Sequence, residues 1–501
     1  MSLGVTPLVR SNSHSDSMLN VILRVPAQIE PRARYAFETL STRWGLPLRF
    51  TKEVTAGCNV VYGERKQIDG CVPVLRCDPR VYQPETDCTA VSHKGSTVWG
   101  PAGTSFEHLD LVGSTFRLLT FMEESRVPQA ARDRRGIFKT DFLPSDRKEV
   151  VAEPLVENHA ELLFERLRDA HPHLKQDRLL LWPNGKKYAF LLTHDTDAIT
   201  LGSVMEMAYN LGKGLLRRDA ISFRMFKDGF TYFRRPGANP LFGFPKWRRI
   251  EQQWLRSCFY LFVRPHRLKW DVNDCRSTVA NQPVDWRILH SMADDGWEFG
   301  LHAPIHAKED VWAFREGKEF IEQKLGRNVV GLRHHYWAID WAQPHLTFRR
   351  HVQAGFRYDT SIAWRDRAGF RAGTCLPFQP FDLGTDRPLD LYEIPTSLMD
   401  GHISTPGKGL GRAIGDGLAV IDVIKRSGGV ALLNWHTEGA CNDYHYAGDL
   451  PVLLGIFESV LHDSQVWLAT PQELVRHWHE RRLRLQAATP APLMVGTATF
   501  A

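Results

Sequence analysis

The chain lacks the marks of a membrane protein or a disulfide scaffold. Its most apolar stretches, such as Val430 to Leu433, fall far short of the ~20 consecutive apolar residues that cross a bilayer. The short apolar run Leu19 to Leu23 is broken by Asn20 and has no clear cleavage site after it, so it is not read as a secretory signal. The cytoplasm is the expected compartment. The 8 cysteines include no C-x-x-C pair, which argues against a zinc ribbon. In a chain this long without a signal, a disulfide framework is not expected either. Cys58, Cys71, Cys77 and Cys88 cluster in sequence and are read as small buried hydrophobes. Charge of one sign is scarce. With 63 Lys and Arg against 57 Asp and Glu, the balance is 63 − 57 = +6, too mild to call for nucleic acid but compatible with an anionic substrate. No internal repeat is visible.

What is present is ordinary globular composition, 43% hydrophobic and 24% charged. A length of 501 residues predicts two or three domains. Residues 1–18 are Ser-rich and read as a flexible N-terminus. Residues 19–125 mix β-like runs (Asn20 to Val25, Leu48 to Lys52, Asn59 to Tyr62, Val72 to Arg76, Ser96 to Gly100) with helical patterns at Arg32 to Trp44 and Leu109 to Ser125. They predict a smaller α/β domain with no recognisable chemistry. Residues 126–180 read as a linker and a connecting amphipathic helix, Pro154 to Ala170. From 181 to 485 the rhythm is strand, loop, helix. Strands are expected at Tyr188 to Thr193, Cys258 to Val263, Trp297 to Leu301, Val329 to Leu332, Leu391 to Ile394, Val430 to Leu433 and Val466 to Leu468. Such alternation predicts a parallel sheet or barrel with its chemistry at the C-terminal strand ends. Residues 486–501 have low complexity and are expected to be disordered.

Five of these segments share one pattern, an apolar run that ends in titratable groups. Phe190 to Asp197 ends in His194, Asp195 and Asp197. Two carboxylates two residues apart can divide their labour, one holding a cation and the other acting as a base; a solvated Asx turn is the plain alternative. Trp297 to His306 ends in His302 and His306, an i, i+4 pair with metal-ligand spacing, although Pro304 interrupts a regular helix. Val329 to Trp337 contains Arg333, followed by His334 and His335. The arginine can orient a carboxylate. Gly355 to Ser361 contains Asp359, which can hold a histidine in one tautomer or cap a helix. Val430 to Glu438 contains His436, a candidate proton donor or a satisfied buried histidine. Each signal is weak by itself, but five in one domain are not readily a coincidence.

In this order the motifs resemble those of the polysaccharide deacetylase family, also called the NodB-homology family or carbohydrate esterase family 4. The resemblance spans roughly Lys187 to Arg484. It implies a distorted (β/α) barrel and a divalent cation, zinc first, on Asp197, His302 and His306. It also implies Asp195 as catalytic base, Arg333 positioning that base, His436 as catalytic acid, and Asp359 in the motif that supports the acid. The stretches Gly369 to Phe378 and Trp467 to Pro471 are similar to further family signatures. Four departures stand out: Thr196 separates the aspartates, His334 and His335 replace the usual Pro after Arg333, Asn434 replaces a frequent leucine, and the interval from Asp195 to His302 is long. The implied activity is removal of N-acetyl groups from an N-acetylated sugar or polysaccharide in cell-surface polysaccharide biosynthesis. Hydrolysis of small amides or cyclic imides is the enzymatic alternative, and a non-catalytic carbohydrate-binding protein the other. The segment Phe223 to Arg249 interleaves aromatic residues with Arg and Lys. It reads either as a packed helix or as a surface for an anionic chain or carrier.

Overall fold

The computed structural model describes residues 18–488 except residues 56, 64–71, 176–177, 266, 277–278, 283 and 406. Nearly all of the expected flexible N-terminus and the tail beyond 488 therefore lie outside the described residues. The terminal helix Pro471–Ala487 includes Gln486 and Ala487, so helix replaces the start of the expected tail.

The N-terminal unit is built on strands β1 (Leu19–Arg24), β2 (Leu48–Thr51), β3 (Cys58–Gly63) and β4 (Val74–Arg76), with an antiparallel hairpin of β5 (Cys88–His93) and β6 (Ser96–Pro101). The first four strands lie parallel in the order β2-β1-β3-β4. Helix Glu30–Trp44 connects β1 to β2 and ends at Gly45, whose φ of 72° is the left-handed cap conformation that glycine adopts without Cβ strain.

The larger unit contains β7 (Tyr188–Asp195), β8 (Cys258–Phe262), β9 (Glu298–Ala303), β10 (Gly331–His334) and β11 (Tyr358–Asp359). A short hairpin follows, β12 (Phe381–Asp382) and β13 (Arg387–Pro388), then β14 (Tyr392–Glu393), β15 (Leu398–Met399), β16 (Val430–Asn434) and β17 (Val466–Leu468). The hairpin aside, the strands form one nine-stranded parallel sheet in the order β14-β11-β10-β9-β8-β7-β16-β15, with β17 beside the first half of β7. This is the distorted (β/α) barrel of the sequence reading. β7 is buried along its whole length, as its unbroken apolar run requires of a strand covered on both faces.

Alternation along the strands sorts the core into two layers. Ala189 and Leu191 of β7 share one cluster with Cys258, Tyr260, Tyr358, Val430 and Leu432, closed by Leu474, Val475 and Trp478 of the terminal helix. Phe190 and Leu192 point the other way, into the large core. That large core is continuous with the N-terminal unit, because Leu19, Phe37 and Phe116 belong to the same cluster as Phe190 and Leu433. Segment 126–180 helps make this joint. Buried Arg147 donates to the carbonyls of Phe370 and Arg371, and Val156 N–H donates to the Gly373 carbonyl. The Gly369 to Phe378 stretch thus docks the connecting helix onto the barrel.

Candidate metal and catalytic site

The parity that fills the barrel interior also builds the site. On β7, residues 189 and 191 face inward, so Thr193 and Asp195 follow on the same face. On β8, Cys258 and Tyr260 lie inward, and Phe262 pairs in register with His302 of β9, which in turn pairs with Arg333 of β10. On β16, Val430 and Leu432 lead to Asn434. Because the strands are parallel, their C-terminal ends meet at one rim, which carries Asp195, His302, Arg333 and Asn434; Asp195 pairs in register with Tyr260. The Arg333 guanidinium carbon lies 4.6 Å from the Tyr260 ring centroid.

Asp195 is buried and held at both oxygens. Oδ1 accepts from Arg333 Nη1 at 3.1 Å, and Oδ2 accepts from Asn434 Nδ2 at 2.7 Å. Burial would raise its pKa, but the neighbouring His302 and Arg333 outweigh burial and hold the carboxyl below the usual range. Thr196 donates to the Tyr260 carbonyl and accepts from the Phe262 N–H. The threonine between the aspartates is thus a stitch from β7 to β8. Asp197 lies just beyond it, 20% exposed. Oδ1 is 3.1 Å from His302 Nε2, and Oδ2 is 3.4 Å from His335 Nε2. Against burial, His335 and His302 hold Asp197 well below the ordinary carboxylate range. The ligand atoms of Asp197, His302 and His335 all lie within 4.8 Å of one another.

His436 faces the same space, its Nε2 3.7 Å from Asp197 Oδ2 and its side chain 24% exposed. Its Nδ1 lies 2.9 Å from Asp400 Oδ2, and its backbone N–H donates to the same oxygen. Burial alone would lower the imidazole pKa. Asp400, followed by the two active-site aspartates, outweighs burial and raises it well above the ordinary value. Glu438 is buried beside them, and burial together with the Asp197 charge pushes its carboxyl up to about 8.

The structure therefore brings together Asp195, Asp197, His302, Arg333 and His436. It places two other expected residues elsewhere. Asp359 does not support His436. Its Oδ1 accepts from Ser361, and its Oδ2 lies 3.5 Å from His351 Nδ1. The partner of the candidate acid is Asp400, just past the two-residue β15, which is too short to show a period. His306 is the second. His302 ends an extended strand and Pro304 turns the chain, so His306 lies on the 3-10 helix Ile305–Glu309 rather than one helical turn from His302. It is outside the cluster that His335 completes. His335 and Asn434 were visible only as departures from a motif. The first-motif histidine, His194, is a structural residue. It is fully buried and lies 2.7 Å from both the Trp435 carbonyl and Glu251 Oε1.

The aromatic and basic segment divides in two. Phe244 and Trp247 are core residues, whereas Phe230 and Phe233 are 49% and 61% exposed.

No family model matches the chain, and no curated protein does. Solved structures do. A protein described as a polysaccharide deacetylase from Mycobacterium smegmatis is 21% identical with a TM-score of 0.39, covering 63% of this chain and 96% of its own. One described as a probable polysaccharide deacetylase from Pseudomonas aeruginosa PAO1 is 13% identical at a TM-score of 0.39, covering 62% and 96%. The PuuE allantoinase is 14% identical at a TM-score of 0.39, covering 62% and 95%.

Proposed function

We propose that this chain is a metal-dependent hydrolase of C–N amide bonds that removes N-acetyl groups from an N-acetylated sugar or polysaccharide. The observation that carries this reading is the division of labour at one rim. Asp195 is held by Arg333 and Asn434, Asp197 faces two imidazoles, and His436 is backed by Asp400.

The donors fit a divalent cation. His302 Nδ1 lies 3.0 Å from the Arg333 carbonyl oxygen, which can only accept. The proton is therefore assigned to Nδ1, which leaves the Nε2 lone pair toward Asp197, the arrangement usual for a metal-bound histidine. Asp197 and His302 would hold the ion. When bound, a divalent cation polarises a carbonyl and makes water a nucleophile at neutral pH. Asp195, kept ionised and aimed, accepts the water's proton as the water oxygen bonds to the acetyl carbon. The C–N bond then breaks while His436, protonated and oriented by Asp400, gives its proton to the departing nitrogen. Without that proton the amide nitrogen would leave as a very poor anion. Acetate and a free amine result.

Asp197 and His436 are partly exposed, so a substrate can reach both. Exposed Phe230 and Phe233, beside Arg234 and Arg235, supply stacking faces and positive charge suited to an anionic sugar chain or carrier. The test is acetate release from a panel of N-acetylated oligosaccharides, sugar nucleotides, small amides and cyclic imides. The reading expects turnover of the N-acetylated saccharides. Turnover confined to cyclic imides would move the assignment to small-amide hydrolysis, and saccharide binding with no turnover would make the chain a binding protein.

A further inference from the structure

We propose that the third protein ligand of the metal is His335, oriented by Asp274, and that His306 is not a ligand. This rests on the metal-hydrolase reading and specifies its ion site.

Three observations carry it. The first is an orphaned donor. His335 is 2% exposed, and its Nε2 is buried with no hydrogen-bond partner among the described residues, 3.4 Å from Asp197 Oδ2. With ligand bonds of about 2.0–2.2 Å, two ligand atoms around a tetrahedral ion stand roughly 3.3–3.6 Å apart. The 3.1 Å and 3.4 Å separations of Asp197 from His302 and His335 are close to that spacing. His306 joins no such group.

The second is the ring's other nitrogen. His335 Nδ1 lies 2.8 Å from Asp274 Oδ1, and Asp274 is 1% exposed. A carboxylate accepting Nδ1–H fixes the tautomer that presents the Nε2 lone pair, the carboxylate–histidine–metal arrangement. The other Asp274 oxygen accepts from the Ile305 N–H at 3.0 Å. One carboxylate thus orients His335 and also pins the loop leading to His306.

The third is the backbone. Directly after His335, Tyr336 and Trp337 both have φ of 57°, a left-handed conformation that is costly for non-glycine residues and persists where surroundings enforce it. The two neighbouring histidines have separate partners. His334 Nε2 lies 2.8 Å from His351 Nε2 in a buried pair, while His335 faces Asp197. The replacement of the usual Pro by this His pair is thus what supplies the ligand.

The alternative is that His335 is only a charged link between Asp197 and Asp274. Metal content separates the two. Full-length protein is stripped with chelator, reloaded with Zn2+ or Co2+, dialysed and analysed for metal, with the melting temperature of each metal-free variant as the folding control. We expect wild type and His306→Ala to keep about one equivalent and His335→Ala to lose most of it. Asp274→Asn should weaken affinity by about 10–100-fold. Because His335→Ala leaves a buried gap, His335→Cys is the second variant. Loaded with Co2+, it should show a thiolate-to-cobalt charge-transfer band that wild type lacks. Metal retained by His335→Ala, metal lost by His306→Ala, or no such band in a folded His335→Cys would each overturn the assignment. If the wild-type protein takes up no ion, the metal-hydrolase reading itself fails. If wild type and His335→Ala both bind, only the ligand assignment fails.

Discussion

Asp195 and Asp197 are the same residue type two positions apart, yet their partners give them different tasks. The same logic makes Asp400 the positioning residue behind His436. Asp400→Asn keeps the shape of the contact and removes its charge. General acid catalysis is worth about 10²–10⁴-fold, so kcat should fall by a sizeable part of that, with KM and metal content little changed. The pH profile gives the readout that a purely structural role would not move. A general acid works only while protonated, and Asp400 raises the pKa of His436. Removing that charge lowers it, so the alkaline limb of activity should move to lower pH. An unmoved limb would contradict the role. The sequence disclosed residues that sit where a long apolar run stops, such as Asp195 at the end of β7 and His436 after β16. It hid Asp400, which follows a strand of two residues, and Asp274, which lies outside every motif, on the helix Val272–Arg276. Asn434 and His335 looked like losses from a pattern. Only the fold shows that one binds Asp195 and the other faces Asp197.

The barrel strands place these groups by alternation, and the interior tyrosines pack beside them. Gly331 on β10 illustrates the constraint. A Cβ there would stand 1.9 Å from the Tyr358 ring, and one at Gly300 would stand 2.5 Å from Tyr260. Both rings are fully buried and cannot swing away. Gly331→Ala should therefore destabilise the protein by about 1–3 kcal/mol or more, as overpacking does. It should also disturb Arg333 two residues on. An unchanged melting temperature would show that the interior is looser than this packing implies. The strands β7, β8 and β16 were readable because strands covered on both faces need unbroken apolar runs. β10 spans Gly331–His334, two residues later than its apolar run suggested, because its last two positions are polar groups, Arg333 facing the site and His334 paired with buried His351 on the other face. β11 and β15, two residues each, carry too few side chains to signal a period.

Across the whole molecule, the N-terminal unit is joined to the connecting helix and the barrel by shared core and polar contacts. Trp44 Nε1 donates to the Ala160 carbonyl, Tyr35 Oη donates to the Gln379 carbonyl, and Arg481 of the terminal helix donates to the carbonyls of Thr42 and Leu179. The sequence showed two compositional regions but not this joint, which is made by contacts far apart in the chain. Among the described residues, no helix is long and apolar enough to cross a membrane. If the rim is a metal-dependent amidase with Asp195 as its base, acetate release from an N-acetylated oligosaccharide will separate full-length wild type from Asp195→Asn at matched metal content. The variant should keep its metal and lose turnover by at least about 10²-fold. Equal turnover by the metal-loaded variant would contradict Asp195 as the base.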